Sequence, residues 1–362
     1  MDPAILTIGL EEEYQVVDPD SGALIGRAYD LLGDGGIGKR EFQRTMLEAD
    51  TPISGSASEA RRHLLERRAE LIERASREGL ALAAGGLHPV GPYPVAQVTE
   101  TLHYRQVAAR GGLPMKELHA FGLHIHIGMP SREAAIRAMY GAARYIPHLL
   151  IPTSSSPFHR ARDTEYGSFR IALRDHSPRV GVPLPLGSVS EYDELERLLA
   201  GEDPDLSQGS PISWDIRPSP RFPTVEFRFF DATPWGATIE LVTALARALA
   251  AIFADQPVPQ LSGTELQLMR ENRWRAARFG WDATFFRLNP VTGEERAALD
   301  SFLALVERLA PTIERLGDGS SLDLVDEVLA RGNPAIVMRE IFQRESSFPA
   351  VTRWVVEETR RG

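Results

Sequence analysis

Cysteine is missing from all 362 residues, which excludes disulfides, Cys-ligated zinc, iron–sulfur clusters and a protein thiol nucleophile. Basic charge is also scarce. Against 50 Asp and Glu stand 40 Lys and Arg, and the formal charge of −10 argues against a diffuse basic surface for nucleic acid or anionic lipid. A local basic pocket for a small anion stays open. No uninterrupted apolar run approaches the roughly 20 residues that span a bilayer, because Ile239 to Phe253 is broken by Glu240 and Arg247. Met1 to Leu10 lacks a basic flank followed by a long apolar segment, so no targeting signal is expected. The expectation is a soluble, cytoplasmic protein with neither nucleic acid nor membrane as partner.

Apolar residues make up 43% of the chain, enough for a large core, and a disordered chain is excluded. Helical and strand periodicities alternate in an order that predicts an α+β fold with an antiparallel sheet, in one domain over 1–362. Helices are predicted from a Ser58 cap to Gly79, and over Arg132 to Tyr145, Glu191 to Ala200, Ala237 to Ala254, Thr264 to Phe279 and Glu294 to Leu316. Strands are predicted at Leu6 to Val17, Leu80 to Gly85, Ala120 to Met129, Ile212 to Arg217 and Thr224 to Asp231. Pro and Gly cluster at Ser177 to Gly187 and Asp203 to Pro223 without forming a linker.

The strands carry the unusual chemistry. From Phe121 to Met129 the even positions read Gly, His, His, Gly and the odd ones are apolar. Period two puts His124 and His126 on one face, able to share a metal or a metal-bound phosphate, with Gly122 and Gly128 leaving room for a ligand. A pair of satisfied polar histidines is the plainer alternative. Glu11 and Glu13 likewise share a face in Gly9 to Tyr14; they either ligate a hard cation such as Mg²⁺ or Mn²⁺ or line an exposed edge. In Thr224 to Asp231, Glu226 and Arg228 lie together among Val225, Phe227 and Phe229, as a salt bridge or as ligands to a metal and a phosphate. Asp215 and Arg217 form a further pair, in which Arg217 either fixes an anion or is held by Asp215.

The run Gly33 to Arg40 matches both G-x-G-x-x-G and the start of a Walker A loop, but Arg40 stands where Ser or Thr must hold Mg²⁺ and no convincing strand precedes it. It reads as a turn. Ser154-Ser155-Ser156 lacks the G-x-S-x-G elbow of a serine hydrolase.

Gly9 to Val17, Met46-Leu47-Glu48, Gly85 to Pro89, Phe121 to Gly128, Trp214 to Pro220, Thr224 to Asp231 and Asn272 to Gly280 together resemble, in order, the successive motifs of the carboxylate–amine ligase family, also called glutamate–cysteine ligase type 2. The resemblance implies a glutamine synthetase-like fold: a curved antiparallel sheet with helices on its convex side and ATP and divalent cations on its concave face. It implies Glu11, Glu13, Glu48, His124 and Glu226 as metal ligands, and His126 and Arg228 as residues facing phosphates. Arg170 and Arg217 would orient the substrate carboxylate or the nucleotide. Glu12 departs from the pattern, which commonly has an apolar residue there.

The implied reaction is ATP-dependent amide formation through an acyl phosphate, with Mg²⁺ or Mn²⁺, glutamate as carboxylate and cysteine as a possible amine, in a possible homo-oligomer. A metal-dependent hydrolase built on the His-x-His strand, or a noncatalytic metal- or nucleotide-binding relative, are the alternatives.

Overall fold

The computed structural model describes residues 6–32, 38–91, 98–201, 210–288 and 290–362. Residues 1–5 of the amino terminus, 33–37 of the glycine-rich run and 202–209 of the second Pro/Gly-rich stretch lie outside them.

A seven-stranded antiparallel sheet organises the chain: β1 (Ile8–Val17), β2 (Lys39–Arg40), β3 (Met46–Asp50), β4 (Ala81–Ala83), β5 (Gly122–Gly128), β6 (Ile216–Pro218) and β7 (Thr224–Asp231). The order is β6-β7-β5-β1-β3-β2, and β4 pairs with the end of β1 at Gln15 to Val17. The period-two rule operates as the sequence predicts. Ile8, Leu10, Glu12 and Tyr14 are fully buried, whereas Gly9, Glu11 and Glu13 keep some exposure. Register then aligns polar residues across strands. Glu11 lies opposite His124 and Asp50, Glu13 opposite Glu48, and Glu226 opposite both His126 and Arg217.

One irregularity matters. The register of β7 against β5 shifts between Phe227 and Phe230, so Asp231 pairs with Gly122 and joins the face that Glu226 occupies upstream. Asp231 then accepts hydrogen bonds from the Ser155 amide (2.9 Å) and the hydroxyls of Ser156 (2.7 Å) and Ser168 (2.8 Å). The serine run is therefore a clasp between sheet and helices.

Helices cover the apolar face. Leu123, Ile125, Ile127, Val225, Phe227 and Phe229 join a core with α3 (Arg132–Ala142), α4 (Ile146–Thr153) and α7 (Gly236–Phe253), and α1 (Ala57–Arg77) packs on β1 and β3. Helix α7 has the length and mean hydropathy (1.6) of a membrane span, yet 89% of it is buried inside the fold. Its charges are matched: Arg247 donates to Asp318 (2.8 Å) and to the Leu6 carbonyl (2.8 Å), and Glu240 accepts from Ser321 (2.9 Å). Glu12, the departure from the family pattern, points into this layer. It receives Arg68 of α1 through Nε at 2.7 Å, and Arg68 also donates to the Pro234 carbonyl at 2.8 Å.

Several predicted boundaries move. Ser56, not Ser58, caps α1 by accepting from the Glu59 amide, because Ser58 already lies inside the helix. The helix predicted from Glu294 begins at Ala298, since Val291–Ala297 is drawn into a hairpin with Thr284–Leu288. Helix α2 (Leu102–Lys116), interrupted at Gly112 with φ +61°, and α4 are unforeseen. Glycine and proline hide the first, and the uniformly buried α4 has no polar face to reveal a period. The strand β3 is also new; the sequence marks Glu48 without an element beneath it.

Two buried histidines give the fold an acid limit. His88 accepts at Nδ1 from the Val90 and Gly91 amides (both 3.3 Å) and uses Nε2 toward the Gly22 carbonyl (2.7 Å). His148 bonds Ser301 at 2.8 Å, beneath Arg308. Burial pushes both down to about 4. Because the unfolded chain takes up these protons first, the stability they confer is complete above pH 6.5 and drains away as pH falls toward 4. In urea titrations, the stability difference between wild type and His148→Gln should change by up to about 1.4 kcal/mol per pH unit across that window. A difference independent of pH would show that His148 does not titrate with unfolding.

Candidate active site

The sheet face opposite the helices forms the floor of a cavity of about 1280 Å³, lined by Glu11, Glu13, Glu48, His124, His126, Arg170, Arg217, Glu226 and Arg228. All nine residues that the resemblance implies converge there. The sequence missed Lys39, Glu41, Asp50 and Arg174. Asp50 follows Glu48 by two in a strand, and Arg174 follows Arg170 by one helical turn in α5 (Phe169–Arg174), so both carry a spacing signal. Glu41 and Lys39 carry no such signal, being placed by the pairing of β2 with β3.

The cavity is acidic on one side. Burial, reinforced by Glu41, Glu11 and Glu13, holds the Glu48 carboxyl well above its ordinary range, and burial likewise raises Glu13. Burial beside Glu13 pushes Glu41 up to about 7. Lys39 answers only part of this charge, at 3.5 Å from Glu48 and in contact with Asp50. Three overlapping groups bring ligand atoms within 4.8 Å of one another: Glu11, His124 and Glu226; Glu13, Glu48 and His124; Glu11, Glu48 and Asp50. Glu13 and Glu48, crowded together and forced toward protonation, have the chemistry of a hard-cation site. Burial pushes His124 down to about 3, leaving a neutral imidazole with a lone pair. Burial opposes ionisation of Glu11, but its hydrogen bond to His124 (3.3 Å) and the ring of His126, whose Nε2 stands 3.5 Å away as an ion-pair contact, outweigh this and hold it below the usual range. His126 bonds Thr224 through Nδ1 at 3.0 Å and leaves Nε2 buried without a hydrogen-bond partner, 3.7 Å from Glu226.

The other side is basic. Glu226 receives Arg217 at 2.8 Å and also pairs with Arg228, so its carboxyl stays charged despite complete burial. Among the described residues, the Arg170 guanidinium hydrogen-bonds only backbone carbonyls, Phe229 at 3.3 Å and Arg228 at 3.5 Å, and its Nε has no hydrogen-bond partner. Gly122 makes this possible. A Cβ there would lie 2.2 Å from the Arg170 guanidinium, so the glycine leaves room for a protein cation, where the sequence suggested room for a ligand. The expected Asp215–Arg217 alternative is also overturned: Arg217 goes to Glu226, and Asp215 is taken by Arg273 from α8 (Gly263–Phe279). Strand register, which sets Arg217 opposite Glu226, decides that exchange.

A family model described as "Glutamate-cysteine ligase family 2(GCS2)" matches residues 7–353. The chain belongs to this family. Similar members include proteins provisionally named glutamate–cysteine ligase 2 from Herpetosiphon aurantiacus (30% identical, 98% of this chain, 94% of that protein) and glutamate–cysteine ligase 2-3 from Rubrobacter xylanophilus (33% identical, 98% and 97%). Among solved structures, the fold is shared with the glutamate–cysteine ligase of Francisella tularensis in complex with AMP, at a TM-score of 0.71 and 14% identity over 99% of this chain and 90% of that one. A bifunctional glutathione synthetase from Pasteurella multocida also has a TM-score of 0.71, at 15% identity; this chain spans 52% of it. The glutamate–cysteine ligase family assignment and the α+β glutamine synthetase-like fold drawn from ordered motifs are thus borne out. In this family member, Glu12 closes a buried ion pair beneath the sheet and takes no part in the cavity.

Proposed function

We propose that the protein is an ATP-dependent carboxylate–amine ligase, with glutamate as the leading carboxylate and cysteine as the leading amine. One observation carries the reading: a single cavity sets three overlapping clusters of carboxylate and imidazole ligands beside four arginines, Arg170, Arg174, Arg217 and Arg228. A polyphosphate accompanied by divalent cations matches both halves at once. The family's names and the AMP complex of the Francisella tularensis ligase support the same substrates.

Glu11, Glu13, Glu48, His124 and Glu226 would hold Mg²⁺ or Mn²⁺, with Asp50 adjoining. Bound there, the cations would neutralise phosphate charge and so favour phosphoryl transfer. A carboxylate is a poor acyl donor; attack of its oxygen on the γ-phosphorus of ATP releases ADP and leaves an acyl phosphate. The amine nitrogen then attacks the acyl carbon and inorganic phosphate departs. Arg228 and Arg170 would hold the transferring phosphoryl oxygens, while Arg217, which donates to Glu226 at 2.8 Å, would keep that carboxylate in position. His126 offers its unpartnered Nε2 to the same phosphates. Neither step needs a protein nucleophile, so a chain without cysteine can perform it.

A matrix of carboxylates and amines, scored for ADP release and product mass, tests the reading. Glutamate with cysteine should stimulate Mg²⁺-dependent ADP release and yield a product one water lighter than the sum of the pair. Metal-dependent hydrolysis with no requirement for ATP would replace it with the hydrolase alternative.

A further inference from the structure

Behind the basic wall of the cavity lies an ion network of Arg273, Asp175 and Asp215, none of which lines the cavity itself. Arg273 of α8, 5% exposed, grips fully buried Asp215 with two nitrogens, Nε to Oδ2 and Nη2 to Oδ1 (3.2 Å). The same guanidinium donates to both oxygens of Asp175, at 2.7 and 2.9 Å. Asp175 ends α5, the helix that carries Arg170 and Arg174 on one face. Asp215 precedes β6, and its carbonyl accepts the Arg228 amide at 2.7 Å. Arg273 therefore joins the carriers of three cavity arginines.

Arg174 shows what the network accomplishes. It lines the cavity, yet its hydrogen bonds go to two carbonyls, Arg228 at 3.0 Å and Ser213 at 3.4 Å, and the Asp215 carboxylate stands off at 3.8 Å. Among the described residues, Asp215 is the acid that forms an ion pair with it. Both oxygens of Asp215 are already occupied by Arg273. A bidentate guanidinium–carboxylate fork is the stronger partner, so Arg174 keeps only the longer ion pair with Asp215 and, among the described residues, lines the cavity without a hydrogen-bonded counter-ion.

We infer that Arg273 is a positioning residue which, by sequestering Asp215, leaves Arg174 free to bind an anionic group of the substrates, phosphate or carboxylate. The inference rests on the ligase reading for the identity of those substrates. Without Arg273, Asp215 closes on Arg174 and cancels the anion site from behind.

Arg273→Met should raise KM for ATP or for the carboxylate by about 10- to 100-fold while kcat changes far less; whichever KM moves identifies the anion. Arg273→Lys, which cannot fork, should shift the same KM in the same direction by less, and it carries the test if the Met variant does not fold. The double variant Arg273→Met/Asp215→Asn removes the competing carboxylate and should return KM toward wild type. A purely structural role predicts the reverse, with the double variant no better than the single one and losses confined to kcat and thermal stability; that pattern overturns the inference. Calorimetric titration with Mg·ADP and with glutamate gives the same comparison without turnover. If wild type binds these but no amine elicits ADP release, the ligase reading fails while the role of Arg273 is still measured. A wild type that binds neither overturns both.

Discussion

Glu226→Gln should lower ADP formation by about 10²- to 10³-fold, the scale of loss when one charge-stabilising group leaves a closed site. Glu226 is 2% exposed and sits between the two halves of the cavity. One oxygen faces Arg217, the other Arg228 and the two histidines. Glutamine keeps the volume but removes the charge. Arg217 and Arg228 then lie close without a common counter-ion, and the Glu11–His124–Glu226 group loses an anionic ligand. The effect should separate by partner. Glu11→Gln removes charge from the acidic half alone, and the Mg²⁺ concentration for half-maximal activity should rise by at least the roughly 10- to 100-fold that losing even an outer partner costs. Glu226→Gln should impair turnover at saturating Mg²⁺ as well. If both variants keep wild-type ADP formation with an unaltered Mg²⁺ requirement, these carboxylates are not the cation site.

The second large effect is on stability. Glu12 and Arg68 are 0% and 1% exposed, paired between the sheet and α1. Glu12→Leu leaves a buried guanidinium without its anion and should cost about 3–5 kcal/mol. Replacing both, as Glu12→Leu/Arg68→Met, removes the stranded charge and should recover much of the loss. It should remain short of wild type by about 1–3 kcal/mol, because the Thr233 and Pro234 carbonyls lose their donor. Urea denaturation of the three variants, including Arg68→Met alone, measures the cycle. A Glu12→Leu protein as stable as wild type would mean that the pair is solvated in solution. The cavity should be indifferent to this pair, since both side chains lie on the opposite face of β1.

These cases show how far the sequence carries. Alternation in Gly9 to Tyr14 and in Phe121 to Met129 is sufficient to set Glu11, Glu13, His124 and His126 on one face, and the cavity holds all four. The limits of β7 coincide with the predicted strand. Helical spacing locates α1, α3, α6 (Val189–Ala200), α7, α8 and α9 (Ala298–Arg315) to within a few residues, except where the hairpin claims Val291 to Ala297. Asp50 and Arg174 obey the same spacing rules, but no motif marks their elements.

What periodicity could not supply was partnership. Asp215 and Arg217, neighbours on one strand face, read as a pair, but register gives Arg217 to Glu226 and a helix 58 residues away gives Asp215 to Arg273. Glu12 reads as a surplus charge in the sequence, and α1 brings Arg68 beneath it. The free space assigned to Gly122 belongs to Arg170.

The division has a physical cause. Backbone geometry fixes which way successive side chains point, so a short stretch of sequence determines a face and the chemistry displayed on it. Which charge meets which depends on strand register, a β-bulge and the docking of distant helices, and these are settled by burial of the whole apolar core. By itself the sequence determined that one sheet face would carry carboxylates, histidines and arginines. Tertiary structure alone divided that face into an acidic half suited to cations and a basic half backed by Arg273.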